Sequence, residues 1–172
     1  MIHEHPYVVV PFVLLIGALL LFRTLGVLGV RSLRSWKLAA RYALATMFVF
    51  TSASHFTGTR ADLVRMVPDV LPYPELLVTV TGVLELLGAV GLLRPATARY
   101  AGLGLALLLV AMFPANVVAS QEGLVVAGTV ATPLWFRFFV QVVFISMLLW
   151  ATSAMSYRRS DTGPTKTGPK PR

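Results

Sequence analysis

Five polar side chains lie within mostly apolar segments and are the residues whose types could carry chemistry: His55, Glu85, Asn116, Arg137 and Gln141. Arg23, in the first such segment, is expected to reach the inner membrane surface. An ionisable group inside hydrocarbon costs at least about 2.5–3.5 kcal/mol on insertion scales, so its presence in such a segment favours a functional role. The set combines a titratable imidazole, a carboxylate, a guanidinium and two amides that both donate and accept hydrogen bonds. These residues predict a buried polar pocket that binds a small ligand.

The acid and the cation of this set also predict a pairing. Glu85 is the only carboxylate inside an apolar segment, and Arg137 is the only guanidinium deep in the outer half of the predicted bilayer. Burying either charge alone is costly, and burying them together with amide partners costs far less. We therefore expect Glu85 and Arg137 to contact each other or to share a ligand. Two alternatives stay open: the pair fixes only helix packing, and His55 caps a helix rather than transferring protons.

The composition excludes a water-soluble enzyme. Of 172 residues, 56% are hydrophobic and 13% are charged, whereas a soluble domain has about 45–50% apolar and about 25% charged residues. The chain has no cysteine, which excludes thiol catalysis, Cys-ligated zinc or iron–sulfur centres and covalently attached haem. His3 and His5 alone form a poor metal site, and we expect no metal centre.

Five segments are long enough to cross a bilayer, for which a helix needs about 20 apolar residues. They cover about residues 7–30, 38–56, 75–93, 100–120 and 133–155. Basic residues follow the first segment and do not precede it, which favours an uncleaved helix over a signal peptide. The fold class predicted is an all-α membrane protein with the bilayer as its immediate partner.

Lys and Arg residues predict the orientation. Eleven of them lie after the first span, after the third span and in the tail, against two, Arg60 and Arg65, on the other side. By the positive-inside rule this predicts five spans with the N-terminus outside and the C-terminus inside the cytoplasmic membrane. The net charge of +8 is thereby explained without a nucleic-acid partner. With a rise of 1.5 Å per residue, the five polar side chains all fall in the outer half of the bilayer.

The segment between the second and third spans is too polar to cross a membrane. Thr59 and Asp62 have the spacing of a capping box, and apolar residues recur at helical spacing from Leu63 to Val70. We predict a short amphipathic helix on the outer surface that ends before Pro72 and Pro74; a plain loop is the alternative. Glycines in the third and fourth spans predict close helix contacts: Gly82, Gly88, Gly91, Gly102 and Gly104.

Several short motifs together resemble the DoxX-like family of small four-helix membrane proteins. They are Ser54-His-Phe56, Met66-Val-Pro68, Leu71-Pro-Tyr-Pro-Glu-Leu76, the glycine-rich stretch around Glu85, Phe113-Pro-Ala-Asn116 and Trp135-Phe-Arg-Phe-Phe-Val-Gln141. The resemblance covers about residues 38–153. It implies a four-helix bundle, a link to membrane redox systems and a site at the five polar residues named above. The chain departs from the pattern in its extra N-terminal span, its basic tail and its lack of redox cysteines.

From these observations we expect three parts: an extra transmembrane helix with a basic loop (1–37), a DoxX-like four-helix domain (38–155) and a disordered basic cytoplasmic tail (156–172). The function predicted is an accessory component of a membrane redox system, with a pocket near the outer face for a small polar or quinone-like ligand. No covalently bound cofactor is expected, a quinone is a candidate ligand, and a membrane redox enzyme is the candidate partner. A non-enzymatic scaffold or assembly factor is the alternative, and a small-solute permease ranks behind both.

Overall fold

The computed structural model describes residues 6–126 and 128–153, which are helical apart from loops and one short hairpin. The helices are α1 (Pro6–Val27), α2 (Trp36–Ser54), α3 (Arg60–Arg65), α4 (Pro74–Leu93), α5 (Ala98–Gln121) and α6 (Leu134–Thr152), with one turn of 3-10 helix at Arg31–Arg34 between α1 and α2. The strands β1 (Val125–Val126) and β2 (Thr129–Val130) pair antiparallel in the connection before α6. The predicted C-terminal tail (156–172) and the N-terminal residues His3 and His5 lie outside the described residues.

All five predicted spans are helices, and four of them are long and apolar enough to cross a membrane. The four segments are Val9–Val27, Pro74–Leu93, Ala98–Gln121 and Leu134–Thr152. They indicate a multi-pass helical membrane protein. The remaining long helix, α2, has 19 residues but contains Lys37, Arg41 and several hydroxyl side chains, which lower its hydropathy.

The polar composition of α2 is explained by its central position. It packs against α1, α4 and α6, while α5 closes the other side of the bundle against α4 and α6. Leu44, Met47 and Phe48 of α2 are almost completely buried in the core, together with Leu105 of α5 and Leu148 of α6. Neighbouring helices therefore shield α2 on several sides, so its polar residues do not all need to face lipid.

Side-chain contacts hold the basic residues at one end of the bundle. The Lys37 ammonium donates to Ser153 Oγ over 2.7 Å, which joins the start of α2 to the end of α6. Arg41 is buried, and its Nε and Nη2 donate to the Leu92 carbonyl oxygen over 3.0 and 2.6 Å, where α4 ends. We call this the basic end. The site end is the opposite one, where α2 and α5 end and α4 and α6 begin.

The glycines let helices approach closely at four of the five predicted positions. A Cβ atom added at Gly82 would lie 2.6 Å from His55 Cβ, and one at Gly91 would lie 2.8 Å from Ala101 Cβ. Gly88 and Gly102 are similarly close to neighbouring side chains, whereas Gly104 has nothing within 4 Å of such an atom. Close packing is confirmed at the first four and is absent at Gly104.

The predicted surface helix is present as α3, but it has only six residues and ends at Arg65. The predicted capping box is wrong, because the Thr59 side chain makes no capping hydrogen bond to α3; its hydroxyl donates to the Ser54 carbonyl oxygen over 2.9 Å. The predicted extension towards Pro72 is also wrong: Val70 is 87% exposed. Because the chain is no longer helical after Arg65, Val70 does not lie on the apolar face of a helix.

Candidate functional site

His55 and Glu85 form one buried cluster between α2 and α4, and each is only 4% exposed. His55 Nδ1 lies 2.8 Å from the Val78 carbonyl oxygen. Because a carbonyl oxygen can only accept, Nδ1 carries the hydrogen and donates it. The other nitrogen, Nε2, lies 3.8 Å from Glu85 Oε1, and the Thr51 hydroxyl donates to Glu85 Oε2 over 2.9 Å. This cluster joins the end of α2 to the middle of α4.

Arg137 forms a second cluster, in the first turn of α6, and is 6% exposed. Its Nη1 donates to Asn116 Oδ1 over 2.7 Å, and its Nε donates to the Thr132 carbonyl oxygen over 3.2 Å. A guanidinium has five N–H groups, so most of its donor capacity is not used by the described part of the chain. No carboxylate of the described residues lies within ion-pair distance of Arg137. The positive charge is therefore buried without an acidic protein partner there.

The predicted direct contact between Glu85 and Arg137 is wrong. In the bundle, α4 and α6 are separated by α2 and α5, with which each of them packs extensively. Glu85 is turned towards α2, where it meets Thr51 and His55, and Arg137 is turned towards α5, where it meets Asn116. The two residues therefore belong to different pairs of helices. A ligand common to both stays a prediction.

Gln141 lies one turn further along α6 than Arg137, on the same face, as the spacing predicts. Gln141, Arg137 and Asn116 line a cavity of about 150 Å³ whose other walls are apolar: Pro11, Leu109, Val140 and Phe144. We call it the Arg137 cavity. The side chain of Gln141 makes no hydrogen bond with the described residues, and nearby Thr132 buries a hydroxyl that has no partner among them. Unused polar groups therefore accumulate around the guanidinium.

A second cavity, of about 230 Å³, lies under α3 and the loop that follows it, between α4 and α5. His55, Thr81 and Asn116 supply its polar wall, and the rest of the lining is mostly apolar. Asn116 borders both cavities. Since Arg137 can only donate, it fixes Asn116 Oδ1 towards itself, and the Asn116 amide nitrogen has no partner among the described residues.

Of the five predicted site residues, the structure thus brings Asn116, Arg137 and Gln141 together and places His55 and Glu85 in a separate cluster. Sequence reasoning missed Thr51 and Thr81, which hydrogen-bond to Glu85 and His55. Both threonines lie four residues before one member of that pair, which is the spacing of one helix face. A search for hydroxyls at that spacing could have found them.

The fold and the two clusters define a class: a multi-pass helical membrane protein with buried polar sites near one end of the bundle. Residues 44–155, well over half of the chain, match the family described as Domain of unknown function (DUF8561), and the chain belongs to that family. No curated protein and no solved structure is significantly similar to the chain.

The family match overturns the resemblance to the DoxX-like family, which was wrong. The motifs that suggested it consist of glycines, prolines and single polar residues in apolar helices. Such residues recur wherever membrane helices pack closely and enclose polar groups. The matched region begins within α2, so α1 lies outside it.

Proposed function

We propose that this protein is a multi-pass membrane protein that binds a small ligand through an anionic or carbonyl oxygen at Arg137, Asn116 and Gln141. The observation that carries the proposal is the buried guanidinium of Arg137, which has no carboxylate within ion-pair distance among the described residues. An uncompensated buried charge costs several kcal/mol. A ligand oxygen in the Arg137 cavity would offset that cost.

Each residue has a distinct role in the proposed site. Arg137 holds the ligand oxygen with N–H groups that it does not use within the described chain. Asn116 is oriented by Arg137 and offers its amide nitrogen, and Gln141 offers a whole amide group. The cavity, at about 150 Å³, is smaller than the roughly 300–1,000 Å³ of sites that enclose drug-sized ligands. It therefore accommodates the polar head of a ligand, with any larger apolar part lying towards the bilayer.

The membrane arrangement that we propose has five spans, with the N-terminus outside and the C-terminus inside the cytoplasmic membrane. Two observations support α2 as a span: its 19 residues extend about 28 Å, and it lies between helices that are apolar enough to cross. The contacts of Lys37 and Arg41 gather basic residues at one end, which the positive-inside rule assigns to the cytoplasm. The site end is then in the outer half of the bilayer.

The link to a redox system rested only on the DoxX-like resemblance and is not part of this proposal. A quinone is retained for a different reason, since its carbonyl oxygens are acceptors of the kind that Arg137 and two amides would bind. A short-chain carboxylate presents the same oxygens with a negative charge. A quinone and a short-chain carboxylate, used as separate probes, therefore distinguish a site for neutral carbonyl groups from a site for anions.

Native mass spectrometry of the purified protein in detergent tests the proposal, with a short-chain ubiquinone and octanoate as probes. We expect one of them to bind the wild type in a one-to-one complex. Gln141→Leu should lose most of that binding and stay folded, because Gln141 makes no hydrogen bond with the described residues. Arg137→Met should abolish binding, whereas the matched control Arg65→Met, which changes an arginine on α3, should not. Equal binding by Gln141→Leu, Arg137→Met and wild type, or binding of neither probe to the wild type, would contradict the proposal.

A further inference from the structure

A groove of about 420 Å³ lies between α4 and α5, in the half of the bundle nearest the basic end. Its apolar rim includes Leu84, Leu87 and Val90, which are exposed on the outside of the bundle. In a bilayer that surface faces acyl chains. The groove is thus open to lipid and separate from the Arg137 cavity.

One missing side chain, at Gly104, contributes to the open space in the groove. Gly88, Gly91 and Gly104 contribute to its floor, together with Ala101. A Cβ atom at Gly104 would meet nothing within 4 Å, so the glycine there leaves open space and does not serve helix contact. Gly104, where the predicted close helix contact is absent, therefore keeps this part of the groove empty.

Polar groups stand at only one end of the groove. Arg94 follows α4 at the basic end, is exposed, and makes no side-chain hydrogen bond or ion pair with the described residues. Tyr100 is 76% exposed beside it, as is usual for tyrosines at the level of lipid headgroups. The Thr97 hydroxyl is already used, since it donates to the Gly91 carbonyl oxygen over 2.8 Å. A cation and a phenol thus lie at one end of an apolar groove.

We infer that this groove binds one anionic phospholipid, with its phosphate at Arg94 and Tyr100 and one acyl chain along the groove past Gly104. The length agrees with one leaflet: Leu84 and Arg94 are ten residues apart on α4, which is about 15 Å, or half of a hydrocarbon core of about 30 Å. A second copy of the chain fits less well, because a symmetric interface here would bring two Arg94 side chains towards each other. With the proposed orientation, the lipid belongs to the cytoplasmic leaflet.

Native mass spectrometry tests this site with two probes at equal concentration, dioleoylphosphatidylglycerol and dioleoylphosphatidylcholine. One basic residue near the surface favours the anionic lipid by about 5-fold, so the wild type should bind phosphatidylglycerol preferentially by about that factor. Arg94→Gln should reduce the preference towards parity. Arg99→Gln is the matched control, since Arg99 is exposed at the same end and does not line the groove, and it should keep the preference.

Gly104→Leu fills the groove and should lower the binding of both lipids. Arg94→Gln is expected to fold normally because Arg94 has no side-chain partner in the described chain, so the test does not depend on Gly104→Leu being stable. An unchanged lipid preference in Arg94→Gln would overturn the inference. The inference would also be overturned if the wild type forms a dimer without bound lipid and Gly104→Leu dissociates that dimer. A second copy of the chain would then be the occupant of the groove. Neither result bears on ligand binding at Arg137, which lies near the other end of the bundle.

Discussion

Gly82 is the residue at which the structure makes its sharpest steric prediction. A Cβ atom there would lie 2.6 Å from His55 Cβ, 2.8 Å from His55 Cγ and 3.0 Å from Phe56 Cε2, against 3.4–4 Å for an ordinary contact. His55 Cβ is bonded directly to the backbone and cannot rotate away. Gly82→Ala must therefore move the end of α2 away from α4 by roughly 1 Å, which also disturbs the contact between His55 and Glu85.

The magnitude follows from two opposing effects. Overpacking of a well-packed site costs about 1–3 kcal/mol, while replacing glycine by alanine inside a helix contributes about 0.5–1 kcal/mol in the other direction. Gly104→Ala is the matched control, because it makes the same change in a helix with nothing within 4 Å of the new atom. We expect Gly82→Ala to be less stable than Gly104→Ala by about 1–3 kcal/mol.

The assay is reversible unfolding in mixed micelles by increasing the fraction of SDS, followed by far-ultraviolet circular dichroism. Gly104→Ala should be as stable as the wild type or slightly more stable. If Gly82→Ala is as stable as Gly104→Ala, then α2 and α4 do not approach each other as closely as the structure shows. The positioning of His55 described above would then be refuted.

Two further predictions concern the pairing of charged residues and the orientation of the chain. In double-mutant cycles on the free energy of unfolding, Glu85→Gln and His55→Gln should couple by about 0.5–3 kcal/mol. Glu85→Gln and Arg137→Met should instead be additive within about 0.5 kcal/mol. Strong coupling of this second pair would indicate the direct contact that the structure lacks. Because the chain has no cysteine, single substitutions report sidedness: a membrane-impermeant maleimide should label Gly58→Cys in intact cells, and Leu28→Cys, at a position 76% exposed, only after permeabilisation. The reverse labelling pattern would contradict the proposed orientation.

Sequence reasoning located the helices well because a long apolar run leaves few alternatives to a helix in lipid. The third predicted span, 75–93, differs from α4 by one residue at its start. The polar residues could be listed for the same reason, since each stands out against an apolar background. Their depth in the bilayer stays a prediction, made from the rise per residue alone.

Which polar residues meet could not be predicted, because depth does not determine helix adjacency or rotation. Glu85 and Arg137 differ in sign and lie on helices that share the site end, yet each is turned to a different neighbour. The partner of Glu85 is His55, which lies near the end of the second predicted span. It is buried because it packs against Val78 and Gly82 of α4, and that contact depends on tertiary structure.

The failed capping box shows a second limit. Thr59 and Asp62 have the correct spacing, but the Thr59 side chain makes no capping bond to α3, and its hydroxyl donates to the carbonyl oxygen of Ser54 at the end of the preceding helix. Local hydrogen bonds of serine and threonine compete with capping, and the outcome depends on the path of the chain between α2 and α3. The two-residue strands before α6 are too short to give a sequence pattern.

The central claim is that Arg137 is a buried cation whose acceptor is supplied by a ligand. Gln141→Glu tests it most directly, since the new carboxylate lies one turn from Arg137 on the same face and supplies the missing anion within the chain. Measured by unfolding in mixed micelles without ligand, the variant should gain roughly 1–3 kcal/mol, and it should no longer bind octanoate or the short-chain ubiquinone. A variant that loses stability and still binds either probe as the wild type does would contradict the claim.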